Sequence, residues 1–140
     1  MPQQPLVLIV DDDQNVRRVL ARHFTRLGFT TAEAENNSEA LAQAMLLRPQ
    51  LITTDMSRAG GSGLSLIKQI RTSAPIQATP IVMISGSASE ADREQAGKLG
   101  NTVTMWKPFK PADIPATIER VLPRDQWGNS EPQSISNPSS

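Results

Sequence analysis

Five short stretches rich in apolar or β-branched residues recur along the chain, at 6–10 (LVLIV), 29–33 (FTTAE), 51–54 (LITT), 81–84 (IVMI) and 102–106 (TVTMW). The segments between them follow a different period. Val16, Val19, Leu20, Phe24 and Leu27 recur at i, i+3, i+4, i+8 and i+11, and Leu64, Ile67 and Ile70 at i, i+3 and i+6, the stripe of an amphipathic helix in both cases. Further helices are predicted over 38–47, 89–99 and 111–122. Asp13, Ser38 and Ser89 stand where helices begin, and Gly28 and Gly100 where they end. The order is thus βα repeated five times, and strands that are continuously apolar rather than alternating suit a parallel sheet covered by helices on both faces. A flavodoxin-like α/β fold is expected, a doubly wound five-stranded parallel sheet in the order 2-1-3-4-5. The 140 residues have room for one such domain.

Composition removes several classes of function. Fourteen basic and fourteen acidic residues cancel, so the overall charge points neither to direct nucleic-acid binding nor to a membrane surface. Without cysteine there are no disulfides and no thiolate metal sites. No run has transmembrane length, and the first residues, MPQQP, lack the basic and apolar regions of a signal peptide, so a cytoplasmic protein is expected. The composition turns to Ser, Pro, Asn and Gln after Leu122. Residues 1–122 are therefore read as the domain and 123–140 as a disordered tail, in which the lone Trp127 could dock a partner but in such a segment more often has no role. His23, the only histidine, falls between Leu20 and Leu27 on the apolar side of the first helix and is read as a packing residue.

In open parallel sheets, ligands bind beyond the carboxyl ends of the strands, where the strand order reverses. Strand one ends in Asp11-Asp12-Asp13, strand three in Asp55, strand four in Ser85-Gly86-Ser87 and strand five in Lys107-Pro108-Phe109. Strands one and three are neighbours in the expected order, so three carboxylates would share one pocket. Asp13 is read as the helix cap; Asp11, Asp12 and Asp55 together are too many for caps. Like charges so close need a cation to offset them, and Mg²⁺, which prefers oxygen ligands and retains waters, is the natural one. Lys107 adds a positive charge and Ser85 a hydroxyl, a set suited to holding a phosphoryl group beside an aspartate. Gly86 is read as leaving room at the pocket, and Gly60, Gly61 and Gly63 as loosening the loop beside it.

In the same order along the chain, "VDDDQNVRRVL", "LITTD", "GGSGLSLIKQIR", "PIVMISG" and "KPF" resemble the receiver domain of two-component response regulators, from about Leu6 to Leu122. The resemblance implies that Asp55 accepts a phosphoryl group from phosphohistidine on a sensor histidine kinase or histidine phosphotransfer protein. It implies Mg²⁺ bound by Asp12 directly, by Asp11 through water, by Asp55 and by the Ser57 carbonyl, with Ser85 and Lys107 on the phosphoryl oxygens and a cis Lys107–Pro108 bond. Self-phosphorylation from small donors and slow autodephosphorylation would be the only enzymatic activities.

The chain departs from the family's pattern at two places. Thr104 stands where an aromatic switch residue is usual, and Trp106, on the same strand face, is expected to fill that volume and belong to an output surface read by a downstream protein partner. Arg58-Ala59 replaces Met-Pro after the phosphoacceptor. The short stretch after Leu122 suggests a stand-alone receiver that signals to a partner, or a phosphate sink or relay intermediate. Two other readings compete: a degenerate receiver used as an unphosphorylated scaffold, and a haloacid-dehalogenase-type phosphatase with Asp11 as nucleophile. The first is opposed by the intact Asp, Ser and Lys set. The second is opposed by Asn15, where that motif has Thr or Val, and by the missing cap. No GxxxxGK[ST] loop is present for nucleotide hydrolysis.

Overall fold

The computed structural model describes residues 4–56, 62–86, 94–95 and 97–128. Its elements run β1 (Leu6–Val10), α1 (Gln14–Arg26), β2 (Thr30–Ala34), α2 (Asn37–Leu47), β3 (Leu51–Asp55), α3 (Gly63–Arg71), β4 (Ile81–Ser85), β5 (Thr102–Trp106) and α4 (Asp113–Ile118), followed by a 3₁₀ turn at Arg124–Gln126. The strands form one parallel sheet in the order β2-β1-β3-β4-β5, as the sequence led us to expect. The helix expected over 89–99 lies largely outside the described residues, as do Ser57, Arg58, Ala59, Gly60, Gly61 and Ser87.

Alternation along the strands sends side chains into two cores. Leu8, Val10, Ile52, Ile81 and Met83 pack with Leu66, Ile67 and Ile70 of α3 and Ala40 and Ala44 of α2. Val7, Ile9, Leu51, Val82, Ile84 and Met105 pack on the other face with Leu20 and Phe24 of α1 and Ile114 and Ile118 of α4. The central strands β1, β3 and β4 are therefore buried on both sides, which is why they read as unbroken apolar runs. Thr53 interrupts that run. It pairs in register with Ile9 and Val82, is 1% exposed, and its hydroxyl finds no hydrogen-bond partner.

Element ends differ from expectation where side chains compete with propensity. β2 begins at Thr30, not at residue 29, because Phe29 turns inward to pack edge-on against Phe24, with ring centroids 5.6 Å apart. Asn36 rather than Ser38 caps α2, its side chain accepting from the Glu39 N–H at 2.8 Å. α1 begins as expected, with Asp13 accepting from the Asn15 N–H. Arg71 closes α3, and its guanidinium donates to the carbonyls of Gln77, Thr79, Leu99, Gly100 and Asn101 and to the Thr102 hydroxyl. The entry to β5 is thereby tied to the end of α3.

The boundary expected at Leu122 is overrun. Pro123–Gly128 fold back on the domain: Trp127 packs on Phe29 at 5.8 Å, donates from its indole N–H to the Leu122 carbonyl at 3.0 Å, and lies under the Arg124 guanidinium. Trp127 is thus a packing residue, with apolar area and an indole donor both satisfied within the domain. Gly28, at φ 99°, and Gly128 approach so closely that a Cβ on either would fall within 2.3 Å of the other's carbonyl oxygen. Both positions require glycine.

The unpaired Thr53 hydroxyl costs desolvation energy that no hydrogen bond returns. Replacing it with the isosteric Val, Thr53→Val, is expected to stabilise the domain by about 1 kcal/mol, a rise in Tm of roughly 4 °C in a thermal melt. A lower Tm would show that the hydroxyl is needed where it is.

Candidate functional site

The carboxyl ends of β1, β3, β4 and β5 form one rim, and the parallel register decides which groups face each other there. Val10 pairs with Thr54, so the following residues, Asp11 and Asp55, emerge side by side from neighbouring strands. Asp55 pairs with Ile84, and Ser85, the last residue of β4, pairs with Trp106 of β5. Lys107 follows, its N–H donating to the Ser85 carbonyl at 2.9 Å, and its peptide bond to Pro108 is cis. From there Lys107 reaches back across β4, placing Nζ 3.3 Å from Asp55 Oδ1. The Asp55 side chain keeps 15% of its surface exposed, while Ser85, at the end of the neighbouring strand, is buried. Asp55, Ser85 and Lys107 are thus brought together.

The two acidic residues after β1 are placed differently. Asp12 is exposed. Asp11 is only 5% exposed and is held at three points: its N–H donates to the Ala34 carbonyl, its carbonyl accepts from Arg17 Nη1 at 2.7 Å, and its Oδ1 accepts from the Asp13 N–H at 2.9 Å. Burial raises the Asp11 pKa above its ordinary value; the Asp13 N–H opposes the rise, and the charges of Asp55 and Asp12 add to it while Lys107 subtracts. Asp11, Asp12, Asp55 and Lys107 therefore share one electrostatic neighbourhood. Among the described residues, however, no three carboxylates converge closely enough to hold a metal unaided. Among the described residues, the three carboxylates expected in one pocket do not form a cage, and Asp11 Oδ1 accepts from the Asp13 amide instead. That arrangement fits a cation that keeps several waters, as Mg²⁺ does, better than one needing a full protein shell. Ser57, the fourth expected ligand, lies outside the described residues.

Other expected residues are more sharply defined by the geometry. At Gly63 a Cβ would stand 2.3 Å from the Asp55 carbonyl oxygen, and the Gly63 N–H donates to the Met56 carbonyl at 2.7 Å. The first turn of α3 is in this way butted against the end of β3. At Gly86 a Cβ would meet the Lys107 Cβ at 3.8 Å, an ordinary contact, so alanine fits there and room for a small side chain is not exhausted. Thr104 is half-buried, and Trp106 remains 39% exposed, so Trp106 does not fill an interior volume left by Thr104. Its place at the end of β5 carries it toward the rim instead. His23, half-buried on α1, stands well along the helix from the rim. Arg17 was not singled out from the sequence, where it reads as one of several arginines on an amphipathic helix, yet it contacts the acidic loop directly.

Because the folded pKa of Asp11 lies above its ordinary 3.8, the fold favours the neutral acid. Its contribution to stability is full below 3.8 and is lost as pH rises through the folded pKa. Asp11→Asn keeps an oxygen to accept from the Asp13 N–H and removes the buried charge. Thermal melts of the metal-free domain are therefore expected to show a higher Tm for Asp11→Asn at pH 7, with the gain shrinking toward pH 4; a lower Tm at pH 7 would contradict this.

Comparison with known proteins agrees with this geometry. The family model for the response regulator receiver domain matches residues 7–119. The chain is 33% identical over 118 residues to the transcriptional regulatory protein ResD of Bacillus subtilis, covering 84% of this chain and 48% of ResD. It is 31% identical over 125 residues to the phosphate regulon transcriptional regulatory protein PhoB of Pseudomonas aeruginosa, covering 89% of this chain and 55% of PhoB. The chain thus spans about half the length of these relatives. Among solved structures, the chemotaxis protein CheY4 of Vibrio cholerae superposes with a TM-score of 0.80 at 28% identity, over 86% of this chain and all of that one. With the strand order, the rim and the family match in agreement, the chain belongs to the response regulator receiver domain family.

Proposed function

We propose that this receiver domain is a phosphoacceptor in which Asp55 takes a phosphoryl group from phosphohistidine on a sensor histidine kinase or a histidine phosphotransfer protein. The observation that carries the reading is the Asp55–Lys107 ion pair, which spans β4, whose last residue is the buried Ser85, and leaves Asp55 partly open to solvent. In the transfer, an Asp55 carboxylate oxygen bonds to phosphorus as the P–N bond of the donor breaks, and the bonding pair stays on the imidazole nitrogen. Such a reaction asks mainly for positioning and charge neutralisation. Lys107 supplies a fixed positive charge within reach of the Asp55 oxygen, and the Ser85 hydroxyl lies on the same rim to donate to a phosphoryl oxygen. Asp12, Asp11, Asp55 and the Ser57 carbonyl would hold Mg²⁺. Bound there, Mg²⁺ would neutralise phosphoryl charge.

The domain then works as a switch read by a downstream protein, with no turnover beyond self-phosphorylation from small donors and slow loss of the phosphoryl group. The exposed indole of Trp106, one residue before Lys107 and two after Thr104, makes the end of β5 the surface through which occupancy of the site is reported. No helix among the described residues is long and apolar enough to cross a membrane. A cytoplasmic setting, where such kinases present their phosphohistidine, completes the reading.

Intact-protein mass spectrometry after incubation with acetyl phosphate tests the proposal. One phosphoryl adduct is expected with Mg²⁺, at least tenfold less with a chelator, and none in Asp55→Asn. An adduct of equal yield in Asp55→Asn, or none in a folded wild type, would overturn it.

A further inference from the structure

Arg17 lies in the first turn of α1 after the Asp13 cap, and its guanidinium bridges two strand ends. Nη1 donates to the Asp11 carbonyl at 2.7 Å, and Nε donates to Glu33 Oε1 of β2 at 2.8 Å. The Arg17 side chain is 11% exposed against 39% for Glu33, so the bridge is shielded on the arginine side. Glu33 is in turn fixed through its backbone, whose carbonyl accepts from Gln43 Nε2 of α2 at 3.1 Å. β2 pairs with β1 right up to Val10 and Ala34, and the Ala34 carbonyl accepts the Asp11 N–H at 3.1 Å. Asp11 is thus gripped by its N–H from β2 and by its carbonyl from α1, just where the chain leaves the sheet.

We propose that Arg17 is a positioning residue for the acidic loop: by holding the Asp11 carbonyl and Glu33 together, it fixes the direction in which Asp11 and Asp12 present their carboxylates. The inference rests on the phosphoacceptor reading, since the presented carboxylates are those proposed to take Mg²⁺. The planar guanidinium suits the task, with two donors aimed at different acceptors at fixed separation, whereas a lysine has the same charge but a single compact head. Partners one step removed from a metal's own ligands commonly govern affinity by about ten- to a hundredfold when lost. A positive charge this close to a cation site would on its own weaken cation binding, so charge and positioning act in opposite directions and can be separated.

Arg17→Lys preserves the charge and removes the bridging geometry, while Arg18→Gln removes a charge from an exposed neighbour and leaves the bridge intact. Two measurements on the full chain decide the matter. In metal-free protein, hydrogen exchange at the Asp13 amide, which donates to Asp11 Oδ1, is expected to be about tenfold faster in Arg17→Lys, with the Ile67 amide of α3 unchanged as a control on the fold. In calorimetric titration with Mg²⁺ alone, Arg17→Lys is expected to bind about tenfold more weakly than wild type, and Arg18→Gln as well as wild type or slightly better. Unchanged exchange at Asp13, or Mg²⁺ affinity within about twofold of wild type in Arg17→Lys, would overturn the role of Arg17 and leave the phosphoacceptor reading standing. A wild type that takes up no Mg²⁺ would overturn both. Should Arg17→Lys fail to fold, Glu33→Ala carries the exchange test, because it removes an exposed side chain and with it the acceptor at the other end of the same bridge; the Asp13 amide is expected to exchange faster there too, and an unchanged rate would count against the proposal.

Discussion

The ion pair between Asp55 and Lys107 joins the ends of β3 and β5 across β4, and the rest of the site is arranged around it. Such a pair depends on the parallel sheet: only strands that run the same way deliver their last residues to one rim, and only the order β3-β4-β5 sets the lysine two strands from the aspartate with Ser85 between them. A partly exposed pair of this kind adds little to stability. Its value is chemical, because it holds a cation beside a carboxylate that stays reachable from solvent. On the other side of Asp55, the buried Asp11 adds negative charge that burial makes costly. Among the described residues, the rim thus carries the carboxylates of Asp11, Asp12 and Asp55 on one flank and the Lys107 ammonium on the other, an asymmetry that a divalent cation would offset.

The rest of the molecule keeps that rim rigid. Two apolar cores clamp the central strands from both faces, so the strand ends cannot shift independently. Gly63 lets α3 abut the Asp55 carbonyl without a side chain between them, which locks the first turn of the helix to the end of β3. Arg71, at the other end of α3, ties the entry of β5 through five carbonyls and a hydroxyl. α3 therefore connects to β3 at its first turn and to β5 at its last residue, the two strands that carry the ion pair. Trp127 and the Gly28–Gly128 contact close the domain at the end remote from the rim.

The sheet was legible because both-face burial leaves an unmistakable record: LVLIV and IVMI have no polar alternation to hide the strand, and the rim residues Asp11, Asp55, Ser85 and Lys107 stand at the first polar positions after each run. What composition concealed were features made by single contacts. Phe29 looks like a strand residue and is a core anchor, since T-shaped packing on Phe24 outweighs β-propensity. Trp127 sits in a segment whose Ser and Pro content reads as disorder, yet a ring on Phe29 and an indole hydrogen bond are enough to order six residues around it. Arg17 and Arg71 were invisible as individuals, because helical periodicity marks the apolar stripe and says nothing of which polar residue at its edge reaches a carbonyl. Spacing alone could not tell that Gly63 has no room for a Cβ.

The identity of the phosphorylated atom is the point on which everything turns. Borohydride reduction of the protein after treatment with acetyl phosphate and Mg²⁺ converts an aspartyl phosphate to homoserine, and peptide mass spectrometry reads its position. Homoserine at position 55 alone is the expected result. Homoserine at position 11 or 12, or a borohydride-resistant phosphoryl group on Ser85 or His23, would contradict the assignment of Asp55 as the acceptor.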